Sequence, residues 1–180
     1  MGLLAEQLGV RTPSLYKHVD GQEDLNRRIA TLALNEAADA VGGAVQGHTG
    51  RDALAAAAHA FRAFVLAHPG RYAATIGIEP TGPHDPLATA SRRLLDSFTA
   101  VLRGYEIAET AETAATAATA ETAAITETAE PHVDHALRTL RSLCHGFATL
   151  QSAEAFQWSA DIDESFDWLI TFADHGLRTM

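Results

Sequence analysis

The stretch Leu3-Leu4-Ala5-Glu6-Gln7-Leu8-Gly9-Val10-Arg11-Thr12-Pro13-Ser14-Leu15-Tyr16-Lys17-His18-Val19 decides the fold. Leu4 and Leu8 lie four residues apart, which predicts a short helix over 3–8 with both on one face. Gly9 supplies the corner, because a tight turn between helices favours a left-handed residue, which glycine adopts at little cost. Thr12 suits an N-cap and Pro13 a first helical residue. A second helix is therefore expected over 13–18, with Leu15 and Val19 turned inward. Two short helices at this spacing match a helix-turn-helix, whose second helix enters the DNA major groove. Ser14, Tyr16, Lys17 and His18 then face outward, offering hydroxyl, aromatic and cationic contacts to base edges and phosphates. The same pattern also fits an amphipathic helical hairpin with an ordinary polar surface.

Charge restricts where nucleic acid can be met. The 180 residues carry 13 Lys and Arg against 23 Asp and Glu, a formal net charge of −10. Within residues 1–30, Arg11, Lys17, Arg27 and Arg28 balance Glu6, Asp20, Glu23 and Asp24, so the whole excess lies further along the chain. An acidic body repels phosphate, so any DNA contact belongs to the N-terminal end.

Beyond residue 20 the apolar residues recur at helical spacing, and convincing strand alternation is absent. Leu25, Ile29, Leu32 and Val41 mark a helix from about 23 to 44, ended by Gly42, Gly43 and Gly47. Leu54, Ala57, Ala58, Phe61, Phe64 and Val65 form a stripe stopped by His68-Pro69-Gly70. Leu87, Leu94, Leu95, Phe98, Val101 and Leu102 form another, opened by Pro86 and ended near Gly104. Leu137, Leu140, Cys144 and Phe147 lie on a helix near 133–153, and Phe166, Leu169, Ile170, Ala173 and Leu177 on one near 163–178. These last two are apolar on more than one face: Leu143 and Leu150 widen the first arc, and Trp168 and Phe172 add a stripe to the second. A helix with two apolar faces has two surfaces to bury. A seam through Phe172 or Leu177 to a second subunit is expected.

With 47% hydrophobic residues the chain is rich enough to form a core. It has no run of about 18 apolar residues and no basic n-region before an apolar h-region, so neither a membrane span nor a secretory signal is expected. The lone cysteine, Cys144, makes no internal disulfide and suits a reducing cytosol, so a cytoplasmic location is expected. Residues 108–130 are an Ala/Thr/Glu repeat of period three. Its threonines drift round a helix by about 60° per repeat, so no fixed apolar face results. A solvated helical spacer or a linker is expected there, without function and tolerant of shortening.

Leu4-Ala5-Glu6-Gln7-Leu8-Gly9-Val10 followed by Ser14-Leu15-Tyr16-Lys17-His18-Val19 resembles the signature of TetR-family (TetR/AcrR-type) transcriptional regulators. Gly21-Gln22-Glu23-Asp24-Leu25 resembles that family's start of its fourth helix. His145-Gly146-Phe147, with Ser165-Phe166 downstream, is similar to the family's C-terminal domain of the WHG type. The resemblance implies an all-α fold: a helix-turn-helix DNA-binding domain over 1–30 and a helical ligand-binding and dimerisation domain over 31–180. It implies a homodimer on double-stranded operator DNA, acting as a repressor released by a small-molecule effector. Arg11, Thr12, Ser14, Tyr16, Lys17 and His18 would meet DNA. Gln22 stands where the family often has a phosphate-binding lysine, so one backbone contact would be weaker. The family also has a helix packed across the helix-turn-helix, whereas this sequence starts inside what would be the second helix. Part of the cover of Leu3, Leu4, Leu8, Leu15 and Val19 is then missing, and a start further upstream is expected, with tighter DNA binding in that longer form.

The histidines 18, 48, 59, 68, 84, 132, 135, 145 and 175 invite a metal or catalytic reading, and His132 and His135 are able to share a helix face. No Cys pair, His-Glu-x-x-His, Gly-x-Ser-x-Gly, phosphate loop or dinucleotide fingerprint accompanies them, so no cofactor, metal or enzymatic activity is expected. For an effector pocket the large apolar residues Phe61, Phe64, Phe98, Phe156 and Trp158, with His145 as a polar handle, are candidates. The alternative function is a ligand-sequestering helical dimer that does not bind DNA.

Overall fold

The computed structural model describes residues 1–105 and 131–179. The 108–130 repeat lies outside the described residues. Eight helices run through the described part, without a strand among them: α1 (Gly2–Gln7), α2 (Thr12–Leu15), α3 (Gln22–Ala44), α4 (Gly50–Ala67), α5 (Pro69–Ala73), α6 (Pro86–Leu102), α7 (Pro131–Ser152) and α8 (Ile162–Arg178). Several starts follow capping chemistry. Asp85 accepts from Leu87 N before α6, with Pro86 in the first turn, and Asp161 accepts from Asp163 N and Glu164 N before α8. Glu23 and Asp24 place negative charge at the positive end of α3. The chain restarts as α5 directly after His68, where Pro69 opens the helix instead of only closing the one before.

Helix α4 is the centre of the body and touches α3, α5, α6, α7 and α8. All six residues of its expected stripe are buried, Leu54, Ala57, Ala58, Phe61, Phe64 and Val65 among them. Helix α3 buries a face of small residues instead, Ala30, Ala33, Ala37, Ala38 and Val41, which lets α6 approach closely. Leu32 lies on the other side of α3 and is exposed, contrary to the expected stripe, because the alanines and not the leucine set the contact face. Arg62 is buried between α4, α7 and α8. It donates to Gln151 Oε1 at 2.7 Å and Asp163 Oδ1 at 2.6 Å, and its guanidinium lies 4.7 Å from the Phe166 ring centre. At the end of α6, Tyr105 donates its hydroxyl to Asp174 Oδ1 at 2.7 Å, tying that end to α8. Burial works against the Asp174 charge, but hydrogen bonds from Arg178 and Tyr105 outweigh it and hold the carboxyl below its ordinary pKa.

The start of α4 and the end of α6 meet backbone to backbone. A Cβ on Gly104 would stand 2.6 Å from Gly50 N and 3.2 Å from Gly50 Cα. Gly50 itself has φ +53, so it is held in the left-handed region. Neither backbone can yield without parting the helices. Gly104→Ala is expected to cost about 1–3 kcal/mol by overpacking, at roughly 2–4 °C of Tm per kcal/mol. Gly43→Ala, with nothing within 4 Å of its Cβ, is expected to leave Tm unchanged or raise it. Equal melting of the two variants would contradict the close approach.

Candidate nucleic-acid interface and interior cavity

Helices α1 and α2 pack on each other, and Gly9 turns the corner between them at φ +65, as its position predicts. The second helix differs from expectation. Arg11 with φ −80 and ψ 139, not Thr12, is the capping residue, and its side chain makes no capping bond; Thr12 begins the helix. The helix closes at Leu15, and Tyr16, Lys17 and His18 form a turn held by His18 N to Leu15 O at 2.9 Å and Val19 N to Leu15 O at 3.1 Å. The segment lies between two corner glycines, Gly9 and Gly21 at φ +127.

Six of the seven residues expected to meet DNA lie between these corners. Arg11, Tyr16, Lys17 and His18 are exposed, and Thr12 and Ser14 are half-buried. Gln22 is exposed at the first position of α3, where its Nε2 donates to Asn26 Oδ1 at 3.0 Å. Inward, Ala5 is buried while Leu4, Leu15 and Val19 are half-covered; Leu3 and Leu8 are exposed. The four cations of this region divide sharply. Arg28 pairs with Asp24 at 2.9 Å and Arg27 with Asp85 at 2.6 Å. Arg28, with the Asp20 N–H, holds the Asp24 carboxyl below its ordinary pKa. Among the described residues, Arg11 and Lys17 have no ion-pair partner, so the two free cations of this end flank α2, while Glu6, Asp20 and Glu23 are also exposed and unpaired.

A cavity of about 270 Å³ lies in the body between α3, α4, α5, α6 and α7. Phe61 and Phe98 line it, edge-to-face with ring centres 6.0 Å apart. The other four residues expected in a pocket do not line it. Phe64 is buried against the His68 ring, Phe156 packs on Phe147 with centres 4.8 Å apart, and Trp158 is 82% exposed. His145 stands behind the wall, where its Nδ1 lies 2.6 Å from the Tyr72 hydroxyl. Sequence reasoning missed Tyr72, Ser91 and Arg141, which supply polar atoms to the wall. Pro69 could have signalled the short helix that carries Tyr72, but the direction of Tyr72, like the placing of Ser91 and Arg141, depends on the helices packed around it.

The two sites are joined by α3, which is continuous from Gln22 to Ala44 and carries Leu34 on the cavity wall. Near its start, Arg27 donates to Asp85 Oδ2 at 2.6 Å and to Glu79 O at 3.0 Å. Asp85 is the cap of α6, the helix that supplies Leu87, Ser91, Leu94, Leu95 and Phe98 to the cavity. The Thr81 and Leu87 N–H groups hold the Asp85 carboxyl below its ordinary pKa, and Arg27 adds to this. Among the described residues, no helix is long and apolar enough to cross a membrane.

Residues 54–173 match the family model of the tetracyclin repressor-like C-terminal domain. Over 173 residues the chain is 30% identical to YobS of Bacillus subtilis strain 168, an HTH-type transcriptional regulator, covering 94% of this chain and 77% of that one. It is 39% identical over 90 residues to the HTH-type transcriptional regulator Rv0681 of Mycobacterium tuberculosis H37Rv, covering 50% of this chain and 41% of the relative. Its fold matches the solved structure of a possible TetR family transcriptional regulator from Streptomyces coelicolor A3(2) with a TM-score of 0.65 at 20% identity, covering 99% of this chain and 88% of that one. With a helix-turn-helix at one end and a matching C-terminal domain around the cavity, the chain belongs to the TetR family of transcriptional regulators.

Proposed function

We infer that the protein represses transcription in the cytoplasm as a homodimer on double-stranded operator DNA, and that a small molecule in the cavity between α3 and α7 releases it. The observation that carries the DNA part is the division of charge: Arg11 and Lys17 are exposed and unpaired beside α2, whereas Arg27 and Arg28 are neutralised by Asp85 and Asp24. These two free cations lie on the helix-turn-helix itself, where a net charge of −10 elsewhere on the chain does not answer them directly and phosphate can. Arg11, Thr12, Ser14, Tyr16, Lys17, His18 and Gln22 divide the contacts to base edges and phosphates. The effector part rests on the cavity and on the Arg27–Asp85 pair, through which a shift of α6 bears on the start of α3. An effector acts only as far as it binds one arrangement better than the other. Homodimerisation is supported by the outward aromatic stripe of α8, Trp168 at 70% and Phe172 at 59% exposure, and by the exposed Leu150 of α7.

Titration of fluorescent DNA from the region upstream of the gene tests the reading. Lys17→Ala is expected to weaken binding to every sequence and to lower the slope of log affinity against log salt by about one, as a lost phosphate contact does. Relaxed specificity at one position would mean that Lys17 reads a base. Unchanged affinity, salt slope and specificity would refute its placement at DNA. Ligand binding by a wild-type protein that binds no DNA would favour the ligand-sequestering dimer.

A further inference from the structure

We propose that the cavity takes an amphipathic monoanion, a small alkyl or aryl carboxylate whose apolar body fills the space between α4 and α6 and whose carboxylate pairs with Arg141. This deepens the reading of the cavity as the effector site and rests on it.

The wall is mostly hydrocarbon and aromatic, with Phe61, Leu87, Leu94, Phe98 and Leu137 prominent, and no Asp or Glu lines it. Arg141 is the single formally charged side chain on the wall. It lies on an exposed side of α7 and, among the described residues, has neither an ion-pair nor a hydrogen-bond partner. Four arginines of the body are paired, Arg62 with Asp163, Arg71 with Glu36, Arg93 with Asp39 and Arg178 with Asp174; Arg51, Arg92, Arg103 and Arg138 have no ion pair among the described residues either, but none of them lines the cavity. A guanidinium at the edge of an apolar cavity lacks the counter-charge that a carboxylate supplies in a two-pronged hydrogen-bonded pair.

The remaining polar groups of the wall do not compete for that role. The Tyr72 hydroxyl is taken by His145, and the Thr75 hydroxyl donates to Tyr72 O at 2.7 Å. Burial lowers the His145 pKa, with Arg141 adding to it, and burial raises the Tyr72 hydroxyl to about 12. The Tyr72–His145 pair is therefore uncharged near pH 7 and offers a second anion no partner and a cation no acid. A cationic ligand would meet Arg141 with nothing to neutralise it. The Ser91 hydroxyl, which has no hydrogen-bond partner among the described residues, is available to a carboxylate oxygen or a polar substituent. At ~30 Å³ for a water-sized group, 270 Å³ holds about nine such groups, the size of an eight-carbon carboxylate.

Calorimetric titration of the full chain with octanoate, octanamide and octylammonium separates charge from shape. Octanoate is expected to bind about tenfold or more tightly than octanamide, and octylammonium weakest. Arg141→Gln, at an exposed position, is expected to bring octanoate down to the level of octanamide while leaving octanamide unchanged. Ser91→Phe, which fills the cavity from α6, is expected to abolish binding of both, with circular dichroism melting to check its fold. Octanamide or octylammonium binding as tightly as octanoate would overturn the charge class and leave the cavity as an effector site. Octanoate binding unchanged in Arg141→Gln would overturn the role of Arg141. Binding by none of the three probes would overturn the proposal, while the DNA titration decides separately whether the protein is a regulator.

Discussion

Phe172→Glu is expected to turn a dimeric protein into a monomer and to lower operator affinity toward the non-specific level, a loss of ~10³-fold or more. Phe172 and Trp168 are one helical turn apart on α8, their rings stacked with centres 5.9 Å apart and planes 13° from parallel. On the opposite side of the same helix Phe166, Ile170, Ala173 and Leu177 are buried in the body. The helix thus has a complete inner face and an outer aromatic face with no partner among the described residues, the kind of patch that marks an interface. In a two-fold seam each face meets its copy or a neighbour related by symmetry, so one substitution brings two carboxylates into apolar surroundings. A monomer reaches one half-site, and the gain from engaging the second is lost. Sedimentation at micromolar concentration and DNA titration of the same sample check this. A variant that stays dimeric and binds as before would place the seam elsewhere. Leu177→Glu is not an equivalent test, because Leu177, expected in the seam, belongs to the core.

Phe166→Ala is expected to be the most damaging single truncation for the fold, at about 3–5 kcal/mol. The Phe166 ring is 0% exposed. It sits edge-on to His59 at 5.2 Å between ring centres, 4.9 Å from the Phe147 ring, and under the Arg62 guanidinium. It thereby joins α4, α7 and α8, and its removal leaves a cavity at the point where the three converge. It also strips a desolvated cation–π partner from Arg62, which adds to the loss. Typical domains are stable by only ~5–15 kcal/mol, so much of the margin would go. In urea, with a slope of ~1–3 kcal/mol per molar, the unfolding midpoint is expected to fall by about 1–5 M. A fall corresponding to less than about 1 kcal/mol would show that the site collapses around the gap or packs less tightly than its burial indicates.

The expectations that held share a physical character. The corner at Gly9, the stripe of α4, the opening of α6 at Pro86 and the limits of α3 follow from local rules: left-handed backbone at glycine, period 3.6 in apolar residues, and caps that satisfy the first N–H groups. Those that failed depended on what lay across the contact. Leu32 looked like core until the alanine face of α3 met α6. Thr12 looked like a cap, but the helix begins one residue earlier, with Arg11 in the capping position. Phe64, Phe156 and Trp158 looked like pocket because they are large and apolar, which is equally true of core and of surface aromatics.

The sequence by itself determined that this chain is helical, where most helices begin and end, and that its N-terminal residues carry the motif of a TetR-family regulator. Those features are written in neighbours three, four and seven positions apart, a range over which chain geometry is nearly constant. Only the tertiary structure decided which arginines are neutralised and which are left over, since apart from the i,i+4 pairs Arg28–Asp24 and Arg178–Asp174 the partners are remote: Arg27 and Asp85 are separated by 58 positions and Arg62 and Asp163 by 101. It alone decided that the cavity wall combines Phe61, Ser91, Phe98 and Arg141 from three helices, and that Trp168 and Phe172 face away from the core. Unpaired charge, enclosed space and uncovered apolar surface are properties of what is absent beside a residue, and in a folded chain that is set by segments far away in sequence.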